Sequence, residues 1–88
     1  MIKSSYSGQV LDVDDRSIIT GANTQQWNWG GGANERWFIV DCGDSWFKFV
    51  AKHSGQVLDV SGRGIANGTN IQQYPENGGD GQRFRLIL

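Results

Sequence analysis

The sequence has little of what metal, nucleic-acid or membrane sites require. Its 88 residues include one cysteine, one histidine and one proline. Cys42 therefore cannot form an internal disulfide, and no zinc site with the usual ligand spacing is expected. A net charge of −1 without a basic run argues against nucleic acid and anionic membranes as partners. No apolar run approaches the ~18 residues of a membrane span, and the first residues do not resemble a signal peptide.

Motifs for catalysis are also missing. The sequence has no Ser/His/Asp order, no Gly-x-Ser-x-Gly elbow and no phosphate-binding loop. Asp14, Asp15, Asp41 and Asp44 lie in predicted loops, where carboxylates are usually solvated turn residues. We therefore predict that the protein is not an enzyme and needs no cofactor.

Glycine and tryptophan are abundant, with 13 and four residues respectively. This composition is typical of short strands joined by glycine turns. No apolar period of 3.6 extends over ten or more residues, so no α-helix is expected. The sequence predicts an all-β barrel or sandwich.

An internal repeat organises the chain. The motif SGQVLDV occurs at residues 7–13 and again at residues 54–60, an offset of 47 that continues without a gap. At this offset Gly21 falls on Gly68, and Trp27 falls on Tyr74. We therefore divide the chain into a first repeat with its connector, residues 1–47, and a second repeat, residues 48–88, with a boundary near residues 41–45.

Each repeat predicts four strands. The first pair of equivalent strands covers residues 2–6 and 47–53, and the second is the apolar part of the motif, ending at residues 13 and 60. The third pair covers residues 24–27 and 71–74, and the fourth covers residues 36–40 and 83–88. Polar, glycine-containing loops at residues 14–23, 28–34, 61–70 and 75–81 separate them.

Polar and aromatic residues recur in both copies at the same offset. The candidate binding residues are Asp12, Gln25, Trp27, Asn34 and Glu35, and then Asp59, Gln72, Tyr74 and Gln82. Carboxylates and amides can bond to vicinal hydroxyls, and an aromatic face can cover the C–H patch of a sugar. The residues alone leave a second interpretation open, in which the aspartates cap turns and the aromatics fill the core.

The pattern SGQVLDV…Gly-x-Asn-x-Gln-Gln-Trp…Gly-Gly-x-Asn-x-Arg-Trp resembles the repeat of ricin-type lectins, also called family 13 carbohydrate-binding modules. The resemblance implies a β-trefoil of three four-stranded repeats that binds galactose, lactose or glycan chains in shallow pockets. It also implies an extracellular location. By position, Asp12 and Asp59 would bind a hydroxyl pair, and Trp27 and Tyr74 would be stacking platforms. Asn34 would donate to the same hydroxyls, with Gln25 and Gln72 as weaker candidates.

Two positions depart from that family pattern. Glu35 replaces the expected glutamine beside Asp12, so two carboxylates are expected to face each other, a pairing that is repulsive unless one is protonated or a cation intervenes. Gly81 replaces the expected asparagine, so the second pocket lacks one amide. The family's Gln-x-Trp signature falls on residues 35–37 and 82–84, where the aromatic is expected in the core.

Two repeats supply eight strands where a trefoil needs twelve. An open barrel would expose strand edges and an apolar face. Three chains with two repeats each would complete two trefoils, so we predict a homotrimer with repeats shared between barrels. A fragment of a longer lectin, an unstable monomer, and a designed or reconstructed symmetric protein are the alternatives.

The function predicted first is a carbohydrate-binding lectin module for galactose-type or related neutral sugars, with one pocket per repeat. A structural or protein-interaction trefoil with vestigial pockets is the second hypothesis. The third is the binding domain of a glycoside hydrolase.

Overall fold

The computed structural model describes residues 1–85, and all of its regular structure is short. Within that range there are six strands and four one-turn 3₁₀ helices, and no α-helix. The strands are β1 Val10–Val13, β2 Thr24–Trp27, β3 Trp37–Gly43, β4 Trp46–Ala51, β5 Val57–Val60 and β6 Ile71–Tyr74. The 3₁₀ helices are Asp14–Arg16, Ala33–Glu35, Ser61–Arg63 and Asp80–Gln82. The described helices are all too short and polar to cross a membrane. The predicted all-β class is confirmed.

Two hairpins with the same register form the centre of the two repeats. β1 pairs antiparallel with β2, and Asp12 lies opposite Gln25. β5 pairs with β6 in the same way, and Asp59 lies opposite Gln72. β1 and β2 form a two-stranded sheet, whereas β5 and β6 continue a four-stranded sheet in the order β3-β4-β5-β6. The offset of 47 read from the sequence is therefore also a structural equivalence.

A small apolar core joins the two copies. Val13, Trp37, Phe49, Ala51 and Leu58 form one buried cluster. Trp37 is buried as predicted, and its indole Nε1 donates to the backbone oxygen of Leu11 at 3.3 Å. Phe84, its equivalent in the second copy, packs against the same cluster and tilts against Phe49 at a centroid separation of 5.8 Å.

The strand predicted at residues 2–6 is wrong: only Lys3 forms a bridge, to Val10. The equivalent residues of the second copy form β4, whose only pair with β5 is the matching one, Val50 with Val57. β4 is a full strand because β3 lies along its other side in a six-pair hairpin. Residues 2–6 have no such neighbour among the described residues. The turn that follows is common to both copies, since Gly8 donates to the Ser4 carbonyl and Gly55 to the Ala51 carbonyl, each at 2.9 Å.

Three other boundaries differ from those predicted. β3 extends to Gly43, so the proposed repeat boundary at residues 41–45 falls inside the β3–β4 hairpin. The loops contain single 3₁₀ turns, which an analysis based on longer periodicities does not detect. Of the strand predicted at residues 83–88, Phe84 forms one bridge with Phe47, and residues 86–88 lie outside the described part.

The contact between the copies depends on a buried glutamine. The side chain of Gln73 is fully buried, and its Nε2 donates to the carbonyls of Ser17 and Ile19, each at 2.9 Å. Gln56 adds a bond from Nε2 to the Ile18 carbonyl at 2.8 Å. The second repeat thus holds the loop after Asp14–Arg16 of the first repeat. Gln26, the first-copy equivalent of Gln73, is exposed.

Candidate functional site

A polar cleft lies over the β1–β2 hairpin of the first copy. The cleft has a volume of about 680 Å³. Its lining consists of Asp12, Asp14, Asp15, Arg16, Gln25, Trp27, Asn28, Gly30, Gly32, Asn34 and Glu35. Every first-copy residue predicted from the sequence therefore lies in one place. The strand pairing explains this in part, because Gln25 and Trp27 are two residues apart and share a face of β2.

Asp12 is the buried centre of this cleft. It retains 4% of its exposure, and its Oδ2 accepts from Asn34 Nδ2 at 2.9 Å. Gln25 Nε2 bridges Asp12 Oδ1 at 3.4 Å and Asp14 Oδ1 at 3.3 Å. Asn34 reaches Asp12 because the turn Ala33–Glu35 folds over β1, and the same amide donates to the Val13 carbonyl at 3.2 Å. Asp12 is therefore held in one orientation by two amides.

Trp27 lies at the edge of the cleft and is open to solvent. It retains 59% of its exposure, and Tyr74 in the second copy retains 38%. Neither side chain fills the core, so the second interpretation of the sequence does not describe these two residues. Their strand partners, Val10 and Val57, are buried.

Glu35 holds the glycine loop and also faces Asp12. It is 3% exposed, and its Oε1 accepts from the backbone nitrogens of Gly30 at 2.7 Å and Gly31 at 3.1 Å. The pKa of Asp12 is raised above its ordinary value, first by burial and then by the contact with Glu35 and its negative charge, against the bond from Gln25. Glu35 therefore lies close enough to Asp12 to affect its pKa.

The glycine loop comes close to the site. A Cβ on Gly32 would lie 2.6 Å from Asn34 Oδ1, so a larger residue would displace the amide that bonds to Asp12. The loop on the opposite side is strained: Asp15 and Arg16 have φ values of 52° and 53°. Arg16 lines the cleft and was not among the predicted residues. Its repetition as Arg63 at the offset of 47 was the signal that could have identified it.

The second copy repeats the hairpin but not the whole site. Gln72 Nε2 donates to Asp59 Oδ2 at 3.0 Å, and Asp59 is 5% exposed. Gln82 turns toward its own loop, accepting from the Asn77 nitrogen and donating to the Pro75 carbonyl, both at 2.9 Å. Gly81 gives Asp59 no amide, although a Cβ there would lie 3.5 Å from Asp59 Oδ1.

The chain matches the profile of a known family. The family profile described as ricin-type beta-trefoil lectin domain-like matches residues 1–74. The chain belongs to this family of ricin-type β-trefoil lectin-like domains. No curated protein matches the chain.

Solved structures agree with the family assignment. A designed three-fold symmetric protein, ThreeFoil, is 44% identical with a TM-score of 0.95, over 97% of this chain and 61% of its own. An exo-beta-1,3-galactanase of Clostridium thermocellum, 1,3Gal43A, is 35% identical with a TM-score of 0.95, over 98% of this chain and 19% of its own. The Polyporus squamosus lectin bound to Neu5Aca2-6Galb1-4GlcNAc is 19% identical with a TM-score of 0.73, over 93% of this chain and 29% of its own, and shows the shared fold. The chain thus spans less than two thirds of each of these structures.

Proposed function

We propose that the protein is a non-enzymatic carbohydrate-binding module with one shallow site per repeat, for galactose-type or related neutral sugars such as lactose or glycan ends. The observation that carries the proposal is the exposed Trp27 beside the buried, oriented Asp12 in one cleft. The tryptophan face can stack on the C–H side of a pyranose, while Asp12 and Asn34 bond to its hydroxyls. Asp59 and Tyr74 offer the same pair in the second copy.

The carboxylates of the cleft do not suit glycoside hydrolysis. Two catalytic carboxyl groups flank the scissile bond about 5–10 Å apart. Asp12 instead accepts from Gln25 and Asn34, and Glu35 Oε1 is bonded to backbone nitrogens. Both groups are buried and are engaged in hydrogen bonds within the protein, which supports binding over catalysis.

Retention of the protein on immobilised lactose or galactose tests this function. Trp27→Ala with Tyr74→Ala should weaken retention about tenfold, since each site loses its stacking surface. Both side chains are exposed, so the variant should fold. Asp12→Ala with Asp59→Ala should abolish retention, with circular dichroism as a check of folding.

Retention that survives both pairs of changes would show that the sites lie elsewhere. A parent protein that binds no immobilised glycan would favour the protein-interaction hypothesis.

We also propose that the chain assembles as a homotrimer in which repeats of different copies complete two trefoils. β3 is the edge of its sheet, and Phe38, Ile39 and Val40 on it are exposed by 54%, 56% and 37%. Gln26 is free to make the contact that Gln73 makes inside the chain. Assembly would also raise the avidity of individually weak sugar sites, by about 10²–10⁴ when several bind at once.

A further inference from the structure

The clefts of the two copies differ in charge. The first cleft is lined by Asp12, Asp14, Asp15 and Glu35 against one cation, Arg16, so its formal charge is −3. The equivalent positions of the second copy are Asp59, Ser61, Gly62, Gln82 and Arg63, with a formal charge of zero. The three extra carboxylates of the first copy stand where the second has a hydroxyl, a glycine and an amide.

Two of the four carboxylates in the first cleft are buried without a cationic partner. Asp12 and Glu35 are 4% and 3% exposed. The ion pair found within residues 1–85 is elsewhere, between Lys48 and Glu76. Buried carboxylates are normally paired, because removing a charge from water is expensive. Asp12 accepts from two side-chain amides and Glu35 from two backbone nitrogens, but neither carboxylate has a cationic partner within residues 1–85.

A metal ion is not the cation that this site would hold. Within the described residues, no three His, Cys, Asp or Glu side chains are grouped so that they could hold one. An organic cation needs no such convergence, because an ammonium donates three hydrogen bonds to separate acceptors. The exposed face of Trp27 at the edge of the same cleft also attracts a cation.

We propose that the first cleft binds a sugar with a free, protonated amino group, such as a galactosamine residue, while the second cleft binds neutral sugars. This proposal rests on the sugar-binding function proposed above. The ammonium would lie in the cleft formed by Trp27, Asp12 and Glu35. The exposed Asp14 and Asp15 at the rim lie within one screening length, about 10 Å at 0.1 M salt, of any ligand in the cleft.

Titration calorimetry with galactosamine and galactose tests this selectivity, at about pH 6, where a sugar amine is protonated. The variant Tyr74→Ala serves as the background, because it weakens the second site and leaves the first intact. At low salt, galactosamine should bind about fivefold to tenfold more tightly than galactose. High salt should reduce this ratio, since it screens exposed carboxylates.

Matched charge removals identify the cause. Asp14→Asn with Asp15→Asn should lower the galactosamine-to-galactose ratio about twofold, since these exposed carboxylates add only the longer-range part of the attraction. The control is Asp41→Asn with Asp44→Asn, which removes the same charge from the β3–β4 hairpin and should leave the ratio unchanged.

Equal binding of the two sugars, an unchanged ratio in the Asp14/Asp15 variant, or binding that requires calcium would each overturn the amine selectivity. Tight galactose binding with no preference would leave the sugar-binding function in place. Binding of neither sugar would contradict the function itself.

Discussion

Glu35 and Gln82 occupy equivalent positions, but only the glutamine bonds to both a backbone nitrogen and a backbone carbonyl of its loop. Gln82 accepts from one backbone nitrogen and donates to the Pro75 carbonyl. Glu35 can only accept, so the equivalent carbonyl, that of Asn28, receives nothing from it. The carboxylate also raises the pKa of Asp12, after the larger effect of burial. A single atom, oxygen in place of nitrogen, therefore changes both loop anchoring and charge.

We expect Glu35→Gln to raise the free energy of unfolding by about 1 kcal/mol at neutral pH. The glutamine would add one hydrogen bond, and it would remove the repulsion between the carboxylates of residues 35 and 12. The pKa of Asp12 is raised above 3.8 on folding, so its ionisation destabilises the fold as pH rises through the folded pKa. The gain should therefore shrink toward acid pH. Urea unfolding from neutral to acid pH measures the gain in stability. Gln82→Glu should show the reverse change. A gain that did not depend on pH would contradict the charge explanation.

The one-turn 3₁₀ helices decide how complete each site is. Ala33–Glu35 places Asn34 on Asp12, whereas Asp80–Gln82 places Gly81 at the same point over Asp59. The backbone of the two turns is alike, with entry residues at φ −71° and −78°. Gly81 has no positive φ, so nothing in the backbone requires glycine there. The second site is thus incomplete in its side chain only.

We expect Gly81→Asn to bond to Asp59 and to the Val60 carbonyl, as Asn34 bonds to Asp12 and Val13. The change is combined with Asn77→Gly, because the first copy has a glycine, Gly30, at the equivalent position. The Asn77 side chain lies against the same loop, with its Oδ1 2.9 Å from a Cβ built on Gly79. Relative to Asn77→Gly alone, the double variant should be about 1 kcal/mol more stable. Thermal and urea unfolding give the difference, and no gain would show that the amide cannot take this position.

Local pattern predicted the strands better than it predicted their neighbours. The strands at residues 24–27 and 71–74 match β2 and β6, because alternation and flanking loops are local signals. Residues 2–6 carry the same kind of pattern as β4 and do not form a strand, because pairing with β3 decides the outcome. Trp27 and Asp12 are 15 residues apart. They are assigned to one predicted site because both recur at the offset of the repeat. The structural role of Gln73 was invisible, since the sequence does not show which of two adjacent glutamines is buried.

At the scale of the whole molecule, substitutions of Gln26 and Gln73 should have opposite effects on folding and on assembly. Gln73→Ala should destabilise the single chain by about 1–3 kcal/mol, because a fully buried side chain is lost together with its two hydrogen bonds. The Ser17 carbonyl keeps its contact with His53 Nε2, and the Ile19 carbonyl still accepts from the Ala22 nitrogen. Gln26→Ala should leave the unfolding of the single chain unchanged and weaken the trimer. Native mass spectrometry over a dilution series reports assembly. A parent protein that stays monomeric at high concentration would contradict the trimer.

The Gln73 contact also sets how such a trimer can form. In a trefoil, the two repeats of one chain leave the third position open. If the first repeat of a second chain fills that position, its second repeat, held beside it, would occupy the place of the first chain's first repeat. At least one chain must therefore release Gln73 from Ser17 and Ile19 before a barrel closes. Assembly would be limited by this opening rather than by diffusion, with a rate that rises steeply with temperature. Four repeats close one barrel and leave one repeat over, so the intermediate of two chains should remain scarce throughout.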